Sequence, residues 1–386
     1  MLSTLHSTPT PMPLHSAVTF HNYMPHYISA KDLLQAAELG NVDQLKEIVK
    51  AIDELQMANH WMTQTDKKGR TPLHLASIYG YMNVVRFIVK EIVDSTKDVD
   101  LRKEYINVQD NKGRTPLFHA AGKGNIQVVR FLVERGADLE ASTNNNHIEP
   151  GSTALMACAE RNTQECFKLL VDKGANVLSI RRDGADATYM AARYGNLQII
   201  QHIAATDKMK LVVNRPTYKD RTPILTAAFH GHIKVCKALE ARGAEINHQD
   251  DDKFTALIYA ANEGHFDVVR WLAAEKSAKV NLKNKYGETA VTCADANAHT
   301  DVAIFLRKYN HELEFGKTAN LVTVATTWSS EQERRRSSGP RSSTRASPSP
   351  SSRGSSPMPM RASKGRASYP AEKMLTKKGS MKRTSR

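Results

Sequence analysis

The 386-residue chain carries 15 histidines and four cysteines, side chains that catalysis or metal binding would use if their spacing allowed it. The spacing does not. His6, His15, His21 and His26 are scattered through the leader without metal-ligand intervals, and His311-Glu312-Leu313-Glu314 lacks the second histidine of a zinc-protease helix. There is no glycine-rich phosphate loop and no Gly-x-Ser-x-Gly elbow. Cys158, Cys166, Cys236 and Cys293 match neither a zinc knuckle nor a disulfide framework and read as buried, reduced thiols. The chain is therefore read as non-enzymatic, without catalytic, cofactor or metal residues. The chemistry that does recur is cationic and aromatic. Lys67, Lys68 and Arg70, then Lys112 and Arg114, then Arg181 and Arg182, then Lys219 and Arg221 each come just ahead of a recurring phrase. Tyr79, Lys123, Arg161, Arg193, Tyr194, Phe229 and His230 follow its start by seven or eight residues. Tyrosine and arginine are the types in which binding energy concentrates, so this pattern suits recognition of another protein.

The elements that must position these side chains are set by the phrase itself. Gly69-Arg70-Thr71-Pro72-Leu73-His74-Leu75-Ala76 returns as Gly113-Arg114-Thr115-Pro116-Leu117-Phe118-His119-Ala120, and weaker copies start at Thr153, Asp186, Thr222, Thr255 and Thr289. The intervals are 44, 38, 33, 36, 33 and 34 residues. Glycine two residues before the threonine permits a tight turn. The hydroxyl can cap the first helical amides, and proline fits the first helical position because its missing N–H costs nothing there. Gly80, Gly124, Gly195, Gly231 and Gly264 lie nine residues on and end the first helix. A second helix carries Val84-Val85-Phe87-Ile88, repeated as Val128-Val129-Phe131-Leu132 and Val268-Val269-Trp271-Leu272.

A period settling at 33 with Thr-Pro-Leu-His-x-Ala resembles the ankyrin-repeat family over roughly residues 30–316. The resemblance implies an all-α solenoid of helix–turn–helix units joined by hairpin-like turns, with partners bound on its concave face. It implies a degenerate N-terminal cap unit opening at Ser29, where Asp32 has capping-box spacing, and six full repeats of which the last closes the stack. In such arrays the turn residues and the positions seven and eight after the threonine project towards the concave face. That gives a positive, aromatic-studded row from Lys67 to Arg221 and an acidic end marked by Asp250, Asp251, Asp252, Glu263 and Glu288. Several positions depart from the pattern. Asp220 and Lys253 replace the turn glycine, Ala298 replaces the helix-ending glycine, and Asp186 replaces the capping threonine, which marks the central repeat as the softest. About 11 extra residues fall in 91–105 and about five precede Thr153; such insertions map to loops.

The net charge of +14 belongs to one end. Residues 329–386 hold 15 Lys and Arg against 3 Asp and Glu, a net of +12, while residues 1–328 hold 39 against 37. With 16 serines and 6 prolines among 58 residues, the tail cannot bury enough apolar surface to order itself. A leader at 1–29 is also expected to be disordered, and 317–328 is a short apolar connector. Ser337 and Ser338 follow a basic run, and Ser347, Ser349 and Ser356 each precede proline, so all five are phosphorylation candidates. The stretch around Ser337 resembles a 14-3-3 docking motif, and Ser356-Pro357-Met358-Pro359 a microtubule plus-end motif. One aromatic in the tail, Tyr369, argues against specific nucleic-acid reading. No stretch reaches the length of a transmembrane span, and the leader lacks the basic start of a secretory signal.

The expectation is a cytoplasmic protein, with nuclear entry open through its basic ends. It is an adaptor whose repeats take a protein ligand, an acidic or phosphorylated segment carrying apolar anchors, while the tail makes a second contact. Recognition within a membrane-associated or channel complex, or a cytoskeletal or nuclear regulatory role, are the alternatives.

Overall fold

The structure, a computed structural model, describes residues 29–54, 60–95, 98–276 and 278–314. The connector and tail expected at 317–328 and 329–386, with their five serines, lie outside the described residues, as does all of the leader but Ser29. In chain order the helices are α1 (Ala30–Leu39), α2 (Val42–Glu54), α3 (Pro72–Tyr79), α4 (Met82–Ser95), α5 (Val99–Ile106) and α6 (Pro116–Lys123). Then come α7 (Ile126–Glu134), α8 (Ala154–Arg161), α9 (Gln164–Asp172), α10 (Ala187–Arg193), α11 (Leu197–Ala204) and α12 (Met209–Val212). The array ends with α13 (Pro223–Phe229), α14 (Ile233–Glu240), α15 (Ala256–Asn262), α16 (Phe266–Arg270), α17 (Ala290–Ala296) and α18 (Thr300–Glu314). A π-turn at Trp271–Glu275 prolongs α16. These are all-α elements in antiparallel pairs: each recurring phrase opens an inner helix, and an outer helix follows.

Among the described residues there are eight pairs, α1/α2 and one for each of the seven phrase copies. The expected count, one cap unit plus six, is short by one, because the copy at Thr289 forms a complete pair as well as the end of the stack. The extra residues after the first full repeat do not form a loop: they lengthen α4 and fold into α5, which packs on it.

The caps explain why the phrase tolerates variation. Thr71, Thr115, Thr153, Thr255 and Thr289 each accept the amide three residues on, which satisfies one of the orphan donors of the first turn. Asp186 performs the same task with its carboxylate, accepting from the Tyr189 amide at 2.9 Å. Ser29 and Asp32 form the anticipated capping box of α1. In the turns, Asp220 and Lys253 take φ of 55° and 61°, the left-handed values that glycine holds at Gly69 and Gly113. That conformation crowds a Cβ, so the backbone is set by the fold and the side chain is accommodated.

Neighbouring pairs are tied together at the starts of α7, α11, α14 and α16. Asn125 Nδ2 donates to the carbonyls of Ser77 and Ile78 at 2.8 and 3.0 Å. Asn196 Nδ2 reaches Ala159 at 2.6 Å, and His232 and His265 donate through Nε2 to Arg193 and Phe229 at 3.1 and 2.9 Å. These bonds close the carbonyls that an ending helix leaves open. Between the pairs a single apolar core runs from Leu33 to Tyr309. All four cysteines are free and buried within it, and burial holds their thiols well above the ordinary range, Cys236 to about 12.

Candidate protein-binding surface

Each turn is a short hairpin whose ends bond to each other: Asp66 to Arg70, Asp110 to Arg114, Arg181 to Ala185, Thr217 to Arg221, Asp250 to Phe254 and Asn284 to Glu288. Successive tips are then joined by backbone bonds. The amides of Asn111, Asn144, Arg182, Tyr218, Asp251 and Lys285 donate to the carbonyls of Lys68, Lys112, Pro150, Asp183, Lys219 and Asp252. The tips form a continuous ladder, so side chains along it are held at fixed intervals, and binding a partner there orders little backbone.

The anticipated basic row divides into two groups on this frame. Arg70 and Arg114 turn back onto the carboxylates of Asp66 and Asp110 at 2.6 and 2.7 Å. Arg193 pairs with Glu149 at 3.3 Å, and Arg221 with Asp250 at 3.3 Å while lying 5.4 Å over the Tyr259 ring. These four arginines stabilise the turns and are only partly exposed. Lys67, Lys68, Lys123 and Arg182 are exposed, Lys112 half-buried, and all five lack a carboxylate partner among the described residues. Arg161 is also exposed and leans on Glu160 at 3.1 Å.

The aromatics divide in the same way. Tyr79 and Tyr194 are 47% and 41% exposed. Tyr79 donates its hydroxyl to Glu38 at 2.9 Å, and Arg193 lies 5.7 Å from the Tyr194 ring. His230 is exposed, but Phe229 packs edge-on against it and against Tyr259, at 4.9 and 5.4 Å, and is mostly a core residue.

The acidic end is smaller than expected. Asp250 is buried, accepting the amides of Asp252 and Phe254 at 3.0 and 2.9 Å and the Tyr259 hydroxyl. Asp252 pairs with Lys285. Asp251 and Glu263 remain exposed.

Several important groups were not singled out from sequence. Asp110 is buried and gathers the amides of Lys112 and Arg114, the Arg114 guanidinium and His119 Nε2. Although burial alone would raise it, these donors hold its carboxyl far below the usual range. His74 is buried between Thr71 and the Arg114 carbonyl, and desolvation lowers it to about 4. The recurrence of Asp four residues before Arg, at 66/70 and 110/114, was the available signal. Tyr218, Tyr286 and Ile148, 72%, 55% and 87% exposed, add apolar surface at the tips; their turn positions could have been read from the same offsets. Among the described residues no group of His, Cys, Asp and Glu is placed to hold a metal ion, and no helix is long and apolar enough to cross a membrane.

Comparison with known proteins agrees with this architecture. The ankyrin repeat and KH domain-containing protein mask-1 of Caenorhabditis elegans is 30% identical over 159 residues, 41% of this chain and 6% of that protein. The transient receptor potential cation channel subfamily A member 1 homolog of the same organism is 30% identical over 162 residues, 40% of this chain and 12% of that one. Its protein glp-1 is 30% identical over 165 residues, 42% and 10% respectively. The chain thus corresponds to a small part of each of these relatives. The family model described as ankyrin repeats (3 copies) matches overlapping segments 33–143, 90–181, 140–210, 155–250 and 224–317, and with that coverage the chain belongs to the ankyrin-repeat family, whose repeats are protein-interaction modules.

Proposed function

We propose that the chain is a non-enzymatic scaffold whose turn-tip ladder captures an acidic or phosphorylated protein segment carrying apolar anchors. The observation that supports this most is the set Lys67, Lys68, Lys112 and Arg182 on the turn tips and Lys123 at the end of α6, cations without a counter-charge among the described residues, together with exposed Tyr79 and Tyr194 at the ends of α3 and α10. Complementary charge on a partner speeds encounter and fixes register, and the two tyrosines supply rigid apolar contact. Arg70, Arg114, Arg193 and Arg221 shape the turns beneath.

The basic tail makes the second contact, and phosphorylation at Ser337, Ser338, Ser347, Ser349 or Ser356 weakens it by cancelling charge. The working site is the cytoplasm. A reading as the recognition module of a membrane-associated complex draws on one relative alone, the one named as a cation channel homolog.

The test reverses Lys67, Lys68, Lys123 and Arg182 to glutamate together, leaving the internally paired arginines intact. Capture of acidic peptides is expected to fall at least about tenfold, with the circular dichroism spectrum unchanged. Undiminished capture by the folded variant would refute the reading.

A further inference from the structure

The fifth position before the helix cap is aspartate in three turns, Asp66, Asp110 and Asp250, and in each the carboxylate collects the amides of its own turn. In the turn ahead of α10 that position is Arg181. A cation whose side chain is only 3% exposed therefore sits where three other turns place an aspartate. It requires compensation, and two carboxylates supply it. Asp183 lies in the same turn, its Oδ1 2.8 Å from Arg181 Nε. Glu149 reaches across from the preceding, longer turn to pair with Arg181 and, at 3.3 Å, with Arg193.

We propose that Arg181 and Arg193 form an anion subsite of the binding surface which Glu149 fills in the free protein and yields to an acidic side chain of the peptide ligand. The inference rests on the reading of the ladder as an acidic-peptide surface.

Three features make Glu149 replaceable. Its loop is held by the backbone and not by the carboxylate: Thr143 Oγ1 and Ser152 Oγ donate to the Glu149 carbonyl at 2.9 and 2.8 Å, and His147 Nδ1 accepts its amide at 3.0 Å. The side chain can leave while the loop stays. Arg181 Nη1 meets the Glu149 carboxylate as an ion pair, while the guanidinium's hydrogen bonds run through Nε and Nη2 to Asp183, so Arg181 keeps a partner when Glu149 leaves. Finally, burial pushes the Glu149 carboxyl above its ordinary range despite both arginines, the mark of an anion held at a desolvation cost.

The rim is formed for a peptide. Ile148 is 87% exposed beside Glu149, Tyr194 flanks Arg193, and Arg182 is exposed next to Arg181. A ligand anion exchanges with Glu149 like for like, and contacts along the rest of the ladder drive the exchange.

The experiment uses the full chain and acetyl-pentaglutamate amide as probe, with the carboxyl carbon of Glu149 followed by NMR. In the wild type, added probe is expected to shift the Glu149 resonance as its carboxylate leaves the arginines. E149Q is expected to bind the probe about tenfold tighter, and adding R193A to E149Q to abolish that gain. Inorganic phosphate is the second arm: a Glu149 shift with phosphate as well identifies a phosphate-bearing ligand, a shift with pentaglutamate alone a carboxylate-bearing one. A Glu149 resonance that stays in place at probe saturation overturns the proposal, whether or not E149Q folds; so does a folded E149Q that binds no tighter than wild type. If reversal of the lysine row still abolishes probe binding in either case, only the subsite falls. A probe that binds no variant removes both readings.

Discussion

The turn ahead of α6 and the turn ahead of α10 occupy the same place in the repeat and settle their charges in opposite ways. In the first, Asp110, Arg114 and His119 lie within nine residues of one another and satisfy each other, with His74 packed against the same group. In the second, Arg181 draws on Glu149 from the previous turn, and Asp186, buried beneath the helix start, finds its counter-charge at 3.5 Å in Arg215, beyond α12. One turn is electrostatically self-contained, while the other is balanced by the loops on either side of it. The first is built for stability. The second has pairings that reach outside the turn, the property on which the proposed anion subsite rests.

The largest test removes the self-contained centre. Asp110→Ala leaves four donors without their acceptor and is expected to cost about 3–5 kcal/mol by urea unfolding. Asp183→Ala, whose buried partner Arg181 loses its hydrogen bonds but retains the Glu149 charge, is expected to cost less, about 1–3 kcal/mol. Equal costs would erase the contrast between the turns.

Acid separates the two regions next, with opposite signs. His74 is lowered from 6.5 to about 4, so the unfolded chain binds its proton first. The stability it contributes is complete above pH 6.5 and is lost as the pH falls towards 4, an effect on the order of 2–3 kcal/mol. His119 and Asp110 are lowered too and act in the same direction. Asp186 is raised from 3.8 to about 6, chiefly by burial. Its folded form holds the proton longer, so its contribution falls as the pH rises from about 4 to about 6. Asp186→Asn should therefore steepen the loss of stability on acidification and His74→Asn should flatten it, both read from urea midpoints at pH 7 and 4.5. Parallel slopes for the two variants would break the comparison.

Backbone strain gives the smallest effect. Lys253→Gly, at φ of 61°, is expected to add about 1 kcal/mol. Asp220→Gly at φ of 55° should add less, since aspartate tolerates that conformation better. A Lys253→Gly chain less stable than wild type would show that the lysine side chain itself holds the turn.

What was legible in sequence follows the same division. The phrase at Thr71 and Thr115 specifies cap, proline, core leucine and helix-ending glycine through contacts a few residues apart, so helices and turns could be read directly. Asp220 and Lys253 announced their unusual backbone because five other copies place glycine at that offset. The Glu149 pairing was not legible. It joins residues 32 and 44 positions apart, and the longer turn before Thr153 shifts Glu149 out of register with the other copies. Arg193 looked like a surface cation because its carboxylate, Glu149, comes near it only once the chain is folded, whereas the local spacing of Asp110 and Arg114 was already present in the sequence.

The central claim is that the unpaired cations of the ladder read acidic, apolar-anchored peptides. Selection of binders from a random peptide library on the full chain tests it most directly, run in parallel on the variant with Lys67, Lys68, Lys123 and Arg182 reversed to glutamate. The account predicts that wild-type selection enriches Asp and Glu around aromatic or aliphatic residues and that the variant loses this enrichment. Selected peptides that are neutral or basic, or that bind both proteins equally, would contradict it.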